Sequence, residues 1–103
     1  MAIKLKPDYA GAYINLSAAY LSKKNFKLSL KTLNTLESIN PNHPILHYNF
    51  SCYYALLGNI PKGIDSLKKA IANGYKNRQS LETDPDIENL RQSPHFNKLL
   101  KLF

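Results

Sequence analysis

The 103-residue sequence predicts an all-α fold built from stacked helical hairpins. Two stretches of the chain align with each other at an offset of 34 residues, and a fixed period of this length is typical of stacked repeat units. Seven positions match: Tyr13, Leu16, Ser17, Tyr20, Phe26, Ser29 and Leu33 fall on His47, Phe50, Ser51, Tyr54, Ile60, Gly63 and Leu67. Hydrophobic residues make up 44% of the chain, which is enough for a packed core.

The first hairpin is predicted from two helices. The first helix spans residues 8–21, with Asp8 as its cap, and buries one stripe at the i, i+3, i+4, i+7 spacing of a helix face. That stripe is formed by Tyr13, Leu16, Ser17 and Tyr20. The second helix is predicted to bury Phe26, Leu30, Leu33 and Leu36. It ends before Pro41, because the residue that precedes a proline avoids helical backbone.

The second hairpin begins at Asn42 or His43, with Pro44 in the first turn of a third helix, where its missing N–H has no helical partner to lose. This helix is expected to bury Phe50, Ser51 and Tyr54. Gly58-Asn59 ends it. A fourth helix is predicted over about residues 60–73, and Gly74 suits its C-terminal end.

Small residues occupy equivalent positions in the two hairpins. They are Ser17, Ser29, Ser51 and Gly63. We expect them to allow close approach of helices, so they are not predicted to be nucleophiles. In the C-terminal part, residues 83–91 combine a cap, an early proline and acidic residues, which predicts a short helix. Ser93-Pro94 repeats the cap and proline before a last helical stretch.

The two repeats resemble those of the tetratricopeptide (TPR) family. The first repeat follows the family pattern with Tyr13, Leu16-Ser17, Tyr20, Phe26, Ser29 and Pro41, whereas the second has Gly74-Tyr75 where a proline is expected. The resemblance covers residues 2–77 and implies a right-handed solenoid of antiparallel helix hairpins. It divides the chain into a preceding helix end (1–7), repeat one (8–43), repeat two (44–77) and degenerate capping helices (78–103), which resemble the last unit of many bacterial TPR arrays.

The resemblance implies a protein-interaction scaffold that binds a peptide segment of a partner protein in its concave groove. The predicted groove residues are Gly11, Ile14, Asn15, Ala18, Leu21, Ile45, Tyr48, Asn49, Cys52 and Leu56. Residues 12–16 match the Ala-Tyr-x-Asn-Leu motif of the asparagine ladder in O-GlcNAc transferases. Asn15 and Asn49, one period apart, are then expected to pair with a peptide backbone, since an amide both donates and accepts. The alternative is that these amides only link adjacent helices.

Other TPR grooves hold acidic chain ends with a clamp that needs a Lys and an Arg, but Ile45 and Asn49 stand at those positions here. A groove for apolar anchors is therefore predicted instead. Two alternatives remain open for the whole chain. It recruits a substrate for a larger enzyme or transport complex, or it is a self-assembling structural protein. The second follows from the lack of an N-terminal cap, which leaves the outer side of helix 8–21 partly uncovered, or covered by residues 2–7 or by a second copy.

Other functions are disfavoured. The net charge of +7 attracts acidic partners at long range, but the lysines are scattered and the core stripes contain Tyr13, Tyr20 and Tyr54, so nucleic acid is not the predicted partner. His43 and His47 lie four residues apart without a third ligand nearby in sequence, and His47 replaces a core aromatic residue. We predict no enzyme activity, no metal and no cofactor.

The cellular location is predicted from what the sequence lacks. No apolar run approaches the ~20 residues that span a bilayer, and the N-terminus has no hydrophobic signal region. Cys52 is the only cysteine, which fits a reducing compartment. The sequence therefore predicts a cytoplasmic protein without membrane insertion.

Overall fold

The computed structural model describes residues 9–101, and all of its regular structure is helical. The helices are α1 (Tyr9–Ser22), α2 (Phe26–Ile39), α3 (Pro44–Leu56), α4 (Ile60–Ala72), α5 (Arg78–Thr83), α6 (Glu88–Arg91) and α7 (Pro94–Leu100), with a 3₁₀ turn at Pro85–Ile87. The predicted all-α fold is confirmed. The predictions for residues 1–8 and for the last two residues lie outside the described part of the chain.

Helix starts recur at the 34-residue spacing that the sequence predicted. The second helix of each hairpin begins at Phe26 and Ile60, and α7 begins 34 residues later at Pro94. In the same way, α3 begins at Pro44 and α5 at Arg78. The period therefore extends into the C-terminal segment, where the sequence predicted only degenerate capping helices.

Side-chain caps recur with the helix starts. Asn25 and Asn59 each accept a hydrogen bond from the backbone N–H three residues on, and Ser93 accepts one from the N–H of His95. His43 Nδ1 and Asn77 Oδ1 do the same for α3 and α5. Each cap satisfies a donor that the helix start leaves without an intrahelical partner.

The core runs through the centre of the stack, and α3 is its central helix. This helix packs against α1, α2, α4, the 3₁₀ turn and α6. The fully buried apolar side chains come from every unit: Leu33, Leu36, Leu46, Leu67, Ala70, Leu81, Ile87 and Leu90. Burial of these side chains supplies the main driving force for holding the hairpins together.

The small residues stand at close contacts between helices. The Ser29 hydroxyl donates to the Ser17 carbonyl across α1 and α2 at 3.2 Å. A Cβ on Gly63 would lie 2.8 Å from Leu90 Cδ2, so a side chain there would push against the C-terminal segment. These contacts agree with the packing role predicted for the small residues.

Two sequence predictions need correction. Leu16, predicted on the buried stripe of the first helix, is 42% exposed because no described helix packs on that side of α1. The helix α5 was missed, since its six residues bury only Leu81 and show no apolar period. The other boundaries differ from the predictions by one or two residues.

Candidate functional site

The ten predicted groove residues differ widely in exposure. Three are exposed, namely Gly11, Asn15 and Ala18, and three are half-buried, namely Ile14, Ile45 and Leu56. The remaining four are buried: Leu21, Tyr48, Asn49 and Cys52. The accessible part of the predicted groove thus lies mainly on α1, because the C-terminal segment covers much of the corresponding side of α3.

Asn49 is bound to α1. Its Nδ2 donates to Ser17 Oγ at 3.0 Å and to the Ile14 carbonyl at 3.3 Å, and Ser17 Oγ in turn donates to the same carbonyl at 2.9 Å. Asn49 is 7% exposed, whereas Asn15, one period earlier, is exposed. The two amides therefore have different surroundings, and Asn49 makes the link between adjacent helices that was the alternative to a ladder.

Tyr48 joins α3 to the C-terminal segment. Its ring stacks on Tyr75 with centroids 4.5 Å apart and planes within 7° of each other. Its hydroxyl donates to Asp84 Oδ2, and Tyr75 shares a hydrogen bond with Ser80. Arg91 adds two bonds from its guanidinium, to the carbonyls of Leu81 and Asp84. The sequence could not indicate this cluster, since its members are up to 43 residues apart.

Cys52 lies beside two carboxylates that the sequence analysis did not connect with it. Its thiol and one oxygen each of Asp84 and Asp86 are all within 4.8 Å of one another. Burial raises the pKa of the thiol, and the two carboxylates raise it further, so Cys52 is neutral and a weak nucleophile. Asp84 already accepts from Tyr48 and, through Oδ1, from the Asp86 backbone N–H.

The surroundings of Asp86 disfavour the charged form of its carboxylate. Partial burial raises its pKa, and the neighbouring charge of Asp84 raises it further, while Lys24 acts in the opposite direction. Carboxylates at the start of a helical turn are normally favourable, because they face the positive end of the peptide dipoles. Asp84, which caps the 3₁₀ turn, accepts a hydrogen bond from Tyr48 of α3. We therefore interpret the Cys52, Asp84 and Asp86 cluster as a structural contact between this turn and α3.

A cleft of about 300 Å³ opens where α3 ends against the 3₁₀ turn and α6. It is lined by Ala55, Leu56, Pro85, Asp86, Glu88, Asn89 and Gln92. Asn89 Nδ2 donates to the Ala55 carbonyl at 2.7 Å, and its Oδ1 is buried with no hydrogen-bond partner within residues 9–101. The cleft therefore combines one apolar residue of the predicted groove with acidic and amide groups.

The two histidines at the start of α3 have structural roles. His43 Nδ1 accepts from the Ile45 backbone N–H at 3.1 Å, and burial together with His47 lowers the pKa of His43. His47 is 6% exposed, as its place on the core stripe predicted, and its Nε2 donates to the Pro41 carbonyl at 2.7 Å. The nitrogens that a metal would need are thus partly committed to the backbone.

A curated plant protein is similar to the chain in sequence. The chain is 31% identical over 107 residues to a chloroplastic protein of Arabidopsis thaliana, an alignment that covers 98% of the chain and 32% of the relative. The chain thus spans about a third of that protein's length. No protein-family model matches the chain, and no solved structure matches it. The helical repeat architecture therefore provides the basis for the function proposed below.

The relative is relevant to the origin and the cellular location predicted for the chain. The relative is a plant protein, so it does not support the bacterial origin that the C-terminal pattern suggested. Its name places that relative in the chloroplast, and the cytoplasmic location stays a prediction for this chain. Over residues 9–101, every helix is too short or too polar to cross a membrane.

Proposed function

We propose that the chain is a TPR-type scaffold that binds a peptide segment of a partner protein in its concave groove. One observation carries the proposal: helix starts and their side-chain caps recur every 34 residues through three successive units. Stacked units of this kind make a long, curved surface that suits an extended or helical segment better than a small substrate.

Apolar side chains on the accessible part of the groove define the kind of segment that fits. Ile14, Ile45 and Leu56 are half-buried, so each can gain further burial against a partner. Gly11 and Ala18 are exposed and small, which leaves room for a peptide backbone beside α1. The exposed Asn15 amide offers both donor and acceptor groups to that backbone.

The cleft at the end of α3 indicates which polar residues of a bound segment the chain would prefer. Its carboxylates, Asp86 and Glu88, make no ion pair with a Lys or Arg of the described chain. A lysine or arginine of the bound segment would find acceptors there, although the chain as a whole carries a charge of +7. We infer that the segment has apolar anchors for α1 and α3 and a basic residue near the cleft.

Recruitment within a larger protein is compatible with the same chemistry. The relative is about three times as long as the aligned region, and a groove of this kind could present a bound segment to other parts of a longer chain or complex. No second function is favoured by a separate observation.

The test is selection from a displayed library of random peptides, run on the natural chain and on two arginine variants. Ala18→Arg places a large cation in the groove, whereas the control Ala72→Arg changes an exposed alanine at the end of α4. We expect Ala18→Arg to bind the selected peptides with an affinity lowered by more than about tenfold, which is the size of effect seen when a central contact is lost. Equal peptide binding by both variants would contradict the proposal that peptides bind in this groove.

A further inference from the structure

A cleft of about 370 Å³ lies between α4 and α7, and is called the α4–α7 cleft below. It shares no residue with the predicted groove or with the cleft at the end of α3. Its α4 wall is formed by Ile60, Pro61, Ile64, Asp65 and Lys68, and His95 lies on the α7 side. Ligand pockets in proteins have volumes of about 300–1,000 Å³, so the cleft is large enough to hold a side chain of a partner.

Both walls of the α4–α7 cleft belong to described helices that pack against each other. The cleft lies at the start of α7, whereas the end of α7 lies against α5, where Arg78 donates to the Leu100 carbonyl at 3.1 Å. Units of a stacked repeat contact only their neighbours. A further unit at either end of the stack would therefore pack on an end unit and not between α4 and α7.

The α4 wall of the cleft is mostly apolar. Ile60 is half-buried, Pro61 is exposed, and Ile64 is buried in the core below them. An apolar side chain that enters the cleft would remove the exposed parts of Ile60 and Pro61 from water, which is favourable in proportion to the apolar area buried.

The charges around the cleft are mostly positive. Four exposed lysines lie on α4 and α7, namely Lys62, Lys68, Lys69 and Lys98. The one acidic residue of these two helices, Asp65, lies 3.7 Å from Lys69. Lys68 lines the cleft, and Lys98 follows His95 by three residues and so lies on the same side of α7. Within residues 9–101, no ion pair joins Lys68 or Lys98 to a carboxylate.

We propose that the α4–α7 cleft binds an acidic segment of a partner protein, with an apolar side chain between the two helices and a carboxylate at Lys68. The unpaired lysines are the reason for this occupant, and the net charge of +7 attracts it at long range. A basic segment, which we infer for the concave groove, would be repelled here. The two sites therefore take segments of opposite charge, and this proposal does not depend on the concave groove.

Two other occupants fit the cleft less well. The described residues that line it include no Phe, Tyr or Trp, whereas single-stranded nucleic acid binds where its bases stack on such rings. A second copy of the chain would bring a further charge of +7 to a basic surface.

Selection from a displayed library of short random peptides tests the cleft, with Ala18→Arg as the bait because this variant blocks the concave groove. We expect the selected peptides to have Asp or Glu beside an apolar residue, and to bind the natural chain equally well. Lys68→Glu should lower their affinity by about three- to tenfold, since it reverses an exposed charge. Binding should also weaken as the salt concentration rises.

The matched control is Lys76→Glu, which changes the net charge by the same amount at an exposed position between α4 and α5. It should leave the affinity nearly unchanged. Pro61→Glu is a second variant, because a carboxylate in the first turn of α4 is compatible with the helix and would repel an acidic peptide. A selection that yields no acidic peptides, or equal losses in Lys68→Glu and Lys76→Glu, would contradict the proposal. Self-association of the natural chain that Lys68→Glu abolishes would also contradict it, since a second copy would then occupy the cleft.

Discussion

Single side chains decide how adjacent units of this chain are joined. Asn49 and Asn15 occupy the same position of two successive units, yet one amide is buried against Ser17 and the other faces solvent. The periodic position of both asparagines could be predicted from the sequence. Their roles could not, because exposure depends on whether another helix lies in front of the amide.

The two asparagines should differ sharply in their contribution to stability. Asn49→Ala removes the donor to the buried Ser17 hydroxyl and one of the donors to the Ile14 carbonyl, and we expect it to lower the free energy of unfolding by about 1–3 kcal/mol. Asn15→Ala should change it by less than about 0.5 kcal/mol, as exposed substitutions usually do. Urea unfolding followed by circular dichroism measures both, and similar losses in the two variants would contradict the assigned contacts.

At the scale of elements, the sequence predicted helices well where apolar period, caps and prolines agree. The end of α2 before Pro41, the start of α3 at Pro44 and the end of α4 near Gly74 followed from the sequence. The short helix α5 and the hydrogen bonds of Arg91 depend on tertiary contacts, so local pattern could not indicate them. The clustering of Tyr48 with residues of the C-terminal segment was missed for the same reason.

The turns between paired helices offer a test of backbone strain at repeated positions. Lys24 and Gly58 lie one period apart, and both have left-handed backbone, with φ values of 58° and 82°. Glycine adopts this conformation at little cost, whereas other residues lose about 1–2 kcal/mol. We expect Lys24→Gly to raise the free energy of unfolding by up to about 1 kcal/mol and Gly58→Ala to lower it by about 1 kcal/mol. Chemical denaturation checks both, and shifts of the same sign would count against this account.

The 3₁₀ turn should give the chain a characteristic pH dependence. Because burial and Asp84 raise the pKa of Asp86 in the folded chain, the folded state holds its proton more tightly than the unfolded state. Stability from this group is therefore greatest below its ordinary pKa and falls as pH rises through the folded value. The substitution Asp86→Asn removes this loss of stability at higher pH, because asparagine does not ionise.

We therefore expect Asp86→Asn to be more stable than the natural chain at neutral pH, with a difference that disappears in acid. Asp65→Asn is the control, since Asp65 is exposed and lies 3.7 Å from Lys69. Thermal unfolding at several pH values measures the effect. A neutral-pH loss of stability in Asp86→Asn would show that the carboxylate is stabilised by its surroundings, contrary to its described environment.

At the scale of the whole molecule, the accessible surface along α1 and the edge of α3 has apolar residues beside an acidic cleft. The 34-residue period led to ten predicted groove residues, and six of them are exposed or half-buried. Tyr48 and Cys52 are buried beside the C-terminal segment, whereas Asn49 is buried against α1.

Mapping a selected peptide onto the chain by amide chemical shifts is the most direct test of the proposed function. The account predicts that the largest shifts fall on Gly11, Asn15, Ala18, Ile45 and Leu56, that Ala72 does not respond, and that Ala18→Arg abolishes the shifts. A peptide that perturbs only the outer sides of α2 and α4 would contradict a concave binding groove.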